Sequence, residues 1–254
     1  MNDEVAYYYD SHPTEEDLMG ETSLHSRLVR YLMDVLQHLF RGHPCAIHEN
    51  LNFYQTANPE EYPVAPDIAV IKGIEVPDPN SWRVGKTGPA PQVVFEIASK
   101  ETWLKDLEEK PAVYAQMGVK EYFAYDPNKR PLRPTLTGGR RLFGWQVDAE
   151  RRSMRELPVR ADGRIWSFHL ESWLVPDGKY LRLYDNQGSL RLTRAEAEAK
   201  EKEAAIRWAE AEAREKEAAM RQAQAEARRA EEMSRQKEVL AEKLRSLGID
   251  PDQL

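Results

Sequence analysis

The sequence predicts an α/β fold, a mixed β-sheet flanked by helices, with added β-hairpins and a long C-terminal helix. Three observations predict it. Residues 23–41 place Leu24, Leu28, Tyr31, Leu32, Val35, Leu36 and Leu39 at helical spacing. Runs at 46–54, 65–71 and 92–98 are apolar or alternating and read as strands. From 191 to 247 there is neither Pro nor Gly, and nearly every residue is Ala, Glu, Lys, Arg or Gln, the composition of a solvated helix. Strand, strand, strand, helix, strand in that order describes a mixed sheet, not a bundle.

The change of composition divides the 254 residues into a domain at 1–190, a charged helix at 191–247 and a short tail at 248–254. A hydrophobic share of 41% is enough for one substantial core. The formal net charge of -7 falls almost wholly on 1–190, because acids and bases nearly cancel in the helix. That balance argues against a surface that coats nucleic acid non-specifically; binding phosphate would require a local basic patch or a metal ion. Cys45 is the only cysteine, which excludes an internal disulfide and a thiolate metal cluster. The first residues, Met1-Asn2-Asp3-Glu4, lack the pattern of a secretory signal, and no apolar run approaches the roughly eighteen residues of a membrane span, so a cytoplasmic location without membrane contact is expected.

The first helix starts after a Thr22 or Ser23 cap, with His25 and Arg27 in its first turn, where a side chain can reach past the helix end. After the third strand, Ser99 caps a helical stretch carrying Trp103, Leu107, Tyr114 and Met117, which Gly118 ends. Pro111 lacks the helix donor and crowds the preceding turn. Either the helix kinks there, or a second helix begins with Pro111 in its first turn. Residues 122–125 read as a buried strand closed by Asp126-Pro127. From 135 onward Gly138-Gly139, Asp162-Gly163 and Asp177-Gly178 predict hairpin turns, and Trp145, Trp166, Phe168 and Trp173 a packed aromatic face.

The charged helix contains a repeat. AEAEAKEKEAAIRW at 195–208 is followed by AEAEAREKEAAMRQ at 209–222, a period of two heptads that keeps one face in register. Glu196 with Lys200, Glu198 with Lys202, Glu203 with Arg207 and Glu217 with Arg221 stand in the favourable order, each pair worth roughly 0.2–0.5 kcal/mol. The row Ala199, Ile206, Ala213, Met220, Ala227, Ser234 has a companion row alternating Lys with Ala, whereas a strong coiled coil has large apolar residues in both. Met233, Leu240 and Leu247, with Leu244 beside them, improve the far end. Two readings stay open: a solvated single helix, or a homo-oligomer or protein partner joined through 195–247.

The chemistry lies in two strands. Pro66-Asp67-Ile68-Ala69-Val70-Ile71 sets a carboxylate at the mouth of an apolar strand, and Glu96 is the only charge in Gln92-Val93-Val94-Phe95-Glu96-Ile97-Ala98-Ser99. An ionised carboxylate in a strand buried on both faces must be protonated, paired or bound to a metal. Two carboxylates at strand ends, with a backbone carbonyl such as that of Ile97 and water, suit Mg²⁺ or Mn²⁺ and leave room for a phosphate. The lysine such a site wants would stand two residues after the glutamate, but that position is Ala98. The following helix offers Lys100, Lys105 and Lys110, and Asp106 lies one turn before Lys110. The bland alternatives are a turn role for Asp67, a structural salt bridge from Glu96 to Lys110 or an arginine, and simple packing of His25. His43, His48 and His169 have no metal-ligand spacing.

Pro66-Asp67, Phe95-Glu96-Ile97-Ala98-Ser99, Asp106-Leu107-Glu108-Glu109-Lys110, Tyr114, Gly118-Val119-Lys120-Glu121-Tyr122, Asp126-Pro127, Pro176-Asp177-Gly178 and Leu181-Arg182-Leu183-Tyr184, with the charged tail, follow one another in an order and spacing that resembles the Uma-two family. That family is a bacterial branch of the PD-(D/E)XK nucleases with a restriction-endonuclease-like fold, and the resemblance covers roughly residues 20–245. It implies that Asp67 and Glu96 bind the metal, that Lys110, moved from strand to helix, replaces the missing strand lysine, and that His25 matches a histidine near the start of the first helix. Lys100-Glu101 stands where the family usually has Pro-Ser, and Pro111 directly follows the lysine.

The function this implies is a Mg²⁺- or Mn²⁺-dependent endonuclease hydrolysing DNA phosphodiester bonds, with Asp67, Glu96, Lys110 and His25 as its catalytic set. The alternative is a catalytically inactive nuclease fold that assembles with a partner through its tail. A weaker third reading is a sugar- or nucleotide-processing hydrolase with the same carboxylate pair. No helix-turn-helix or zinc module for reading bases is present in the sequence.

Overall fold

A computed structural model describes residues 23–55, 62–75, 79–99, 102–148, 150, 153–246 and 248. Thr22, Lys100, Glu101, Leu247 and all of the 248–254 tail except Gly248 lie outside the described residues. The chain divides into two units, Met1–Ala195 and Glu196–Leu254.

The first unit is built on a six-stranded mixed sheet in the order β1-β3-β5-β6-β7-β8. These strands are β1 (Cys45–Glu49), β3 (Ile68–Lys72), β5 (Val93–Ile97), β6 (Glu121–Tyr125), β7 (Leu142–Asp148) and β8 (Ser153–Glu156). Only β5 and β6 pair in parallel; the other neighbours are antiparallel. A parallel neighbour requires a crossover, and helices α2 (Trp103–Glu108) and α3 (Lys110–Met117) supply it. Helix α1 (Ser23–Leu39) precedes the sheet, its apolar stripe turned inward as the spacing predicts. All five residues of β5 are buried, as a central strand covered on both faces should be.

The two faces of the sheet carry separate cores. Leu28, Leu32 and Leu36 of α1 pack with Ile68, Val93, Phe95 and Phe123. The same core takes in Ile165, Leu174, Leu181 and Leu183, from a second sheet made of β9 (Ile165–Ser167), β10 (Ser172–Asp177) and β11 (Tyr180–Tyr184). On the other face Val94, Ala98, Tyr122 and Ala124 pack with Trp103, Tyr114 and Met117. Because side chains alternate along a strand, Glu96 belongs with Val94 and Ala98, on the face covered by α2 and α3.

Several elements differ from the sequence expectation. The run 46–54 is interrupted at Asn50, whose φ is 48°; β2 (Phe53–Tyr54) leaves the main sheet and pairs in parallel with β4 (Trp82–Arg83). Gly138 takes φ 62° to end the short helix α4 (Pro134–Thr137), so Gly138-Gly139 is a helix stop and not a hairpin. Asp162-Gly163 makes a tight turn, with the Gly163 N–H donating to Arg160 O, but the strands around it do not pair. Asp177-Gly178 does join a hairpin, β10 to β11. The expected aromatic face holds only in part: Trp166 and Trp173 meet edge to face, Trp145 stacks on Tyr122, and Phe168 stays 57% exposed.

In the second unit, α5 (Arg194–Ser246) runs for 53 residues without a buried residue. Glu203 with Arg207 and Glu217 with Arg221 pair along it as their spacing predicts, joined by Glu210 with Arg214 and Glu212 with Lys216. Among the described helices none is long and apolar enough to cross a membrane.

Candidate active site

Asp67 stands immediately before β3. The last register pair between β3 and β5 is Ile68 opposite Phe95, and one further step brings Asp67 opposite Glu96. Directly opposed residues of an antiparallel pair project to the same face, so the strand register itself brings the two carboxylates together. Ile97 tightens the arrangement by donating its backbone N–H to Asp67 Oδ2 at 2.5 Å. His25, reaching from the first turn of α1, places Nε2 3.1 Å from Asp67 Oδ1.

Glu96 is 4% exposed, and α3 meets it with two side chains. Lys110 Nζ lies 2.8 Å from Oε1, and the Tyr114 hydroxyl donates to the same oxygen at 2.5 Å. Both contacts fall on Oε1, leaving Oε2 outside them. Lys110 Nζ also lies 2.9 Å from Oδ1 of Asp106, which is buried in α2. The Thr102 hydroxyl donates to Asp106 Oδ2 at 3.0 Å, and the Tyr122 hydroxyl to the Asp106 carbonyl at 2.9 Å.

The route from strand to helix explains how Lys110 arrives there. Ser99 Oγ accepts the Thr102 N–H at 3.1 Å, while the helix cap itself is Thr102 and not the expected Ser99. The helix breaks at Glu109 and α3 restarts with Pro111 in its first turn, where a missing N–H costs nothing. Of the two outcomes open for Pro111, this is the second. The Glu109 N–H still donates to Lys105 O at 2.9 Å, so the path stays helical, and Asp106, Lys110 and Tyr114 remain on one stripe at four-residue spacing.

Two carboxylates, Glu96 and Asp106, therefore hold one ammonium, and Asp67 adds its charge beside Glu96. Burial pushes the Glu96 carboxyl from 4.5 up to about 8 against the pull of Lys110, with the charges of Asp67 and Asp106 adding to the rise. Burial raises Asp106 as well, opposed by Lys110 and Thr102. For Lys110 burial disfavours the ammonium, but the two carboxylates outweigh it and hold the pKa above 10.5. Burial, followed by the Glu96 charge, raises Tyr114 well above 10.0, so its hydroxyl is a fixed donor. The site is short of positive charge, and its donors are oxygens, the chemistry of a hard divalent cation. Among the described residues no three His, Cys, Asp or Glu side chains gather as a metal cage. A cation there would rest on two carboxylates, with backbone carbonyl and water completing its shell, as Mg²⁺ commonly does.

Asp67, Glu96, Lys110 and His25 thus form one connected set, with Ile97 bound to it through its amide. Ala98, at the usual strand-lysine position, is packed in the core. Sequence reasoning missed Tyr114 and Thr102 as partners of the carboxylates, and Tyr122 as a partner of the Asp106 backbone carbonyl. For Tyr114 a signal existed: it stands one helical turn beyond Lys110, as Lys110 stands one turn beyond Asp106.

Over residues 2–142 the chain matches the Uma2 family, whose description is "Putative restriction endonuclease". Among solved structures it is similar to a protein from Anabaena variabilis ATCC 29413, described as "a putative nuclease belonging to DUF820", at 12% identity and a TM-score of 0.41 over 59% of this chain and 75% of that one. A search of curated proteins found no match. Because the family match spans more than half of its residues, the chain belongs to the Uma2 family.

Proposed function

We propose that this protein is a divalent-metal-dependent nuclease that hydrolyses DNA phosphodiester bonds at the Asp67–Glu96 site. The observation that carries the reading is the opposition of the two carboxylates across β3 and β5 with the Lys110 ammonium against Glu96. Asp67, Glu96 and the Ile97 carbonyl would hold Mg²⁺ or Mn²⁺. Such a cation, when bound, supplies Lewis acidity and positive charge to a phosphoryl oxygen.

The protein's own groups do the rest. Lys110, kept cationic by Glu96 and Asp106, serves as an electrostatic stabiliser and hydrogen-bond donor to attacking water and phosphate, not as a base. As the water oxygen bonds to phosphorus, the bond to the leaving sugar oxygen breaks; the water proton leaves to solvent, and solvent protonates the leaving oxygen. His25 holds Asp67 from one side while the Ile97 amide holds it from the other. Tyr114 fixes Glu96 Oε1, and with it the reach of Lys110.

The test is cleavage of plasmid DNA by the purified full chain with Mg²⁺ or Mn²⁺. Cleavage is expected, and both a chelator and Glu96→Ala should abolish it while the circular dichroism spectrum stays unchanged. Equal residual cleavage by wild type and Glu96→Ala would assign the activity to a contaminant and sink the reading.

A specific observation favours the second reading, an inactive nuclease fold that assembles through its tail. Helix α5 exposes Ile206, Trp208, Met220, Met233 and Leu240, large apolar side chains that a solitary solvated helix does not need. Calorimetric titration with Mg²⁺ and Mn²⁺, combined with sedimentation of the full chain, separates the two. Absence of ion binding together with a dimeric or larger species would leave assembly alone.

A further inference from the structure

Taking nucleic acid as the substrate, as above, we propose that Arg83 is a phosphate anchor for the substrate strand, outside the Asp67–Glu96 site. Its guanidinium lies 4.2 Å above the ring of Tyr54, which is itself buried. Arg83 Nη1 is shielded from solvent and has no hydrogen-bond partner, and among the described residues no carboxylate pairs with the guanidinium. Buried charges in folded proteins are nearly always paired. A half-buried arginine held over an aromatic ring, with no anion beside it among the described residues, is therefore a group made ready for one.

The platform beneath it is rigid. The Val84 N–H donates to Tyr54 O at 3.0 Å and the Trp82 N–H to Asn52 O at 2.8 Å, locking β4 onto β2. The Arg83 N–H donates to Thr87 Oγ1 at 3.1 Å, and its carbonyl accepts the N–H groups of Lys86 and Thr87 at 3.0 and 2.8 Å. Trp82 is fully buried below and donates its indole N–H to Pro89 O at 3.0 Å. A guanidinium on such a base needs little further ordering to take up a phosphate.

Charge and position agree with this role. From 79 to 92 the chain carries Arg83 and exposed Lys86 and no acidic residue, although the protein as a whole is acidic at -7. Two cations without an acid between 79 and 92 supply local positive charge of the kind that phosphate binding requires on an acidic protein. Phe53, next to Tyr54, exchanges both backbone hydrogen bonds with Val64, at 2.8 and 3.0 Å. Val64 lies three residues before Asp67, so Tyr54 and Asp67 are separated by at most about 21 Å between Cα atoms. At about 3.4 Å per nucleotide along a duplex, one bound strand could meet both Arg83 and the carboxylate pair.

The test is fluorescence anisotropy of a short labelled DNA duplex with the full chain, without divalent ions, over a range of salt concentrations. Arg83→Gln should weaken binding about ten-fold and reduce the log–log salt slope by about 0.9, the loss of one phosphate contact. Arg83→Lys should keep the slope. Wild-type affinity and slope in Arg83→Gln would overturn the proposal. If Arg83→Gln does not fold, Lys86→Glu replaces it, because that exposed position, in the turn whose N–H bonds the Arg83 carbonyl, reverses the charge of the segment without touching the core. Weaker binding with a smaller slope is then required, and unchanged binding overturns the proposal. Displacement of the duplex by inorganic phosphate beyond that caused by chloride of equal ionic strength would mark a free-phosphate site and overturn the strand assignment. A wild type that binds no duplex overturns the nucleic-acid reading itself, whereas a wild type that binds, with an indistinguishable Arg83→Gln, overturns only the role of Arg83.

Discussion

Lys110 and Glu96 meet at 2.8 Å, although one comes from a helix restarted at a proline and the other from the centre of the sheet. Asp106, one turn before Lys110, holds the ammonium from the other side at 2.9 Å. The lysine absent from the strand is thus supplied to the same carboxylate from the covering helix.

Lys110→Met keeps the side-chain length and deletes the charge. Glu96 and Asp106 would then lie buried without their cation, a situation that costs about 3–5 kcal/mol in well-buried pairs. A loss at the lower end of that range is expected in urea unfolding, with an unchanged m value, because the Lys110 side chain remains 23% exposed. A loss below about 0.5 kcal/mol would mean that the pair is as weak as a surface one.

Tyr114→Phe removes one hydroxyl and leaves the tilted ring contact with Tyr122 in place. A hydrogen bond to a buried charged group is worth about 1.5–3 kcal/mol. Chemical denaturation should report a loss of that size, and DNA cleavage should fall as Glu96 Oε1 loses its fixed donor. Unaltered stability would show that water replaces the hydroxyl.

Pro111→Ala tests whether the proline matters for the geometry. Its ring fits the first turn of α3 without strain, so its contribution is chiefly to restrict the unfolded chain, about 0.4–1 kcal/mol. A melting temperature lower by about 1–4 °C is expected, with Lys110 still paired and any cleavage retained. Loss of cleavage at unchanged folding would show that the proline positions Lys110.

Gly88→Ala should be costly for steric reasons. A Cβ there would lie 2.3 Å from Trp82 Cζ2, and Trp82 is fully buried. Overpacking of this kind costs about 1–3 kcal/mol, and the near-ultraviolet circular dichroism of the tryptophans should change with it. An unperturbed spectrum and melting point would show that the 79–92 segment yields easily.

Burial pushes the Cys45 thiol from 9.0 up to about 11, against a lowering pull from Lys72. The thiolate is the reactive form, so alkylation of the native protein at pH 8 should be slower than in the denatured chain and should accelerate toward pH 11. The sign for stability follows. Below pH 9 both states hold the proton; between 9 and 11 the unfolded chain releases it first, so stability declines across that window. Equal native and denatured labelling rates at pH 8 would contradict the burial.

Much of the fold was legible because its signals are local. Apolar spacing revealed α1, the apolar runs revealed β3, β5 and β6, and composition alone revealed α5. Glu96 stood out by the cost of placing a charge in a doubly covered strand, and it is buried there as that reading expects. Asn50 shows where local signals end: the strand pattern runs through it to Tyr54, but a left-handed backbone at that residue diverts the chain into a separate sheet.

By itself, then, the sequence determined the first helix, the central strands and the long charged helix, that a carboxylate would be buried in the central strand, and that Asp106 and Lys110 would share a helix face. Only the tertiary structure decided that Asp67 opposes Glu96, that His25 and the Ile97 amide hold Asp67, that Tyr114 joins Lys110 on Glu96, and that Arg83 lies over Tyr54 with no carboxylate paired to it among the described residues. Periodicity is a property of neighbouring residues and can be read along the chain. Strand register and the meeting of side chains from separate elements are settled by packing between segments far apart in sequence, and no single segment carries that information.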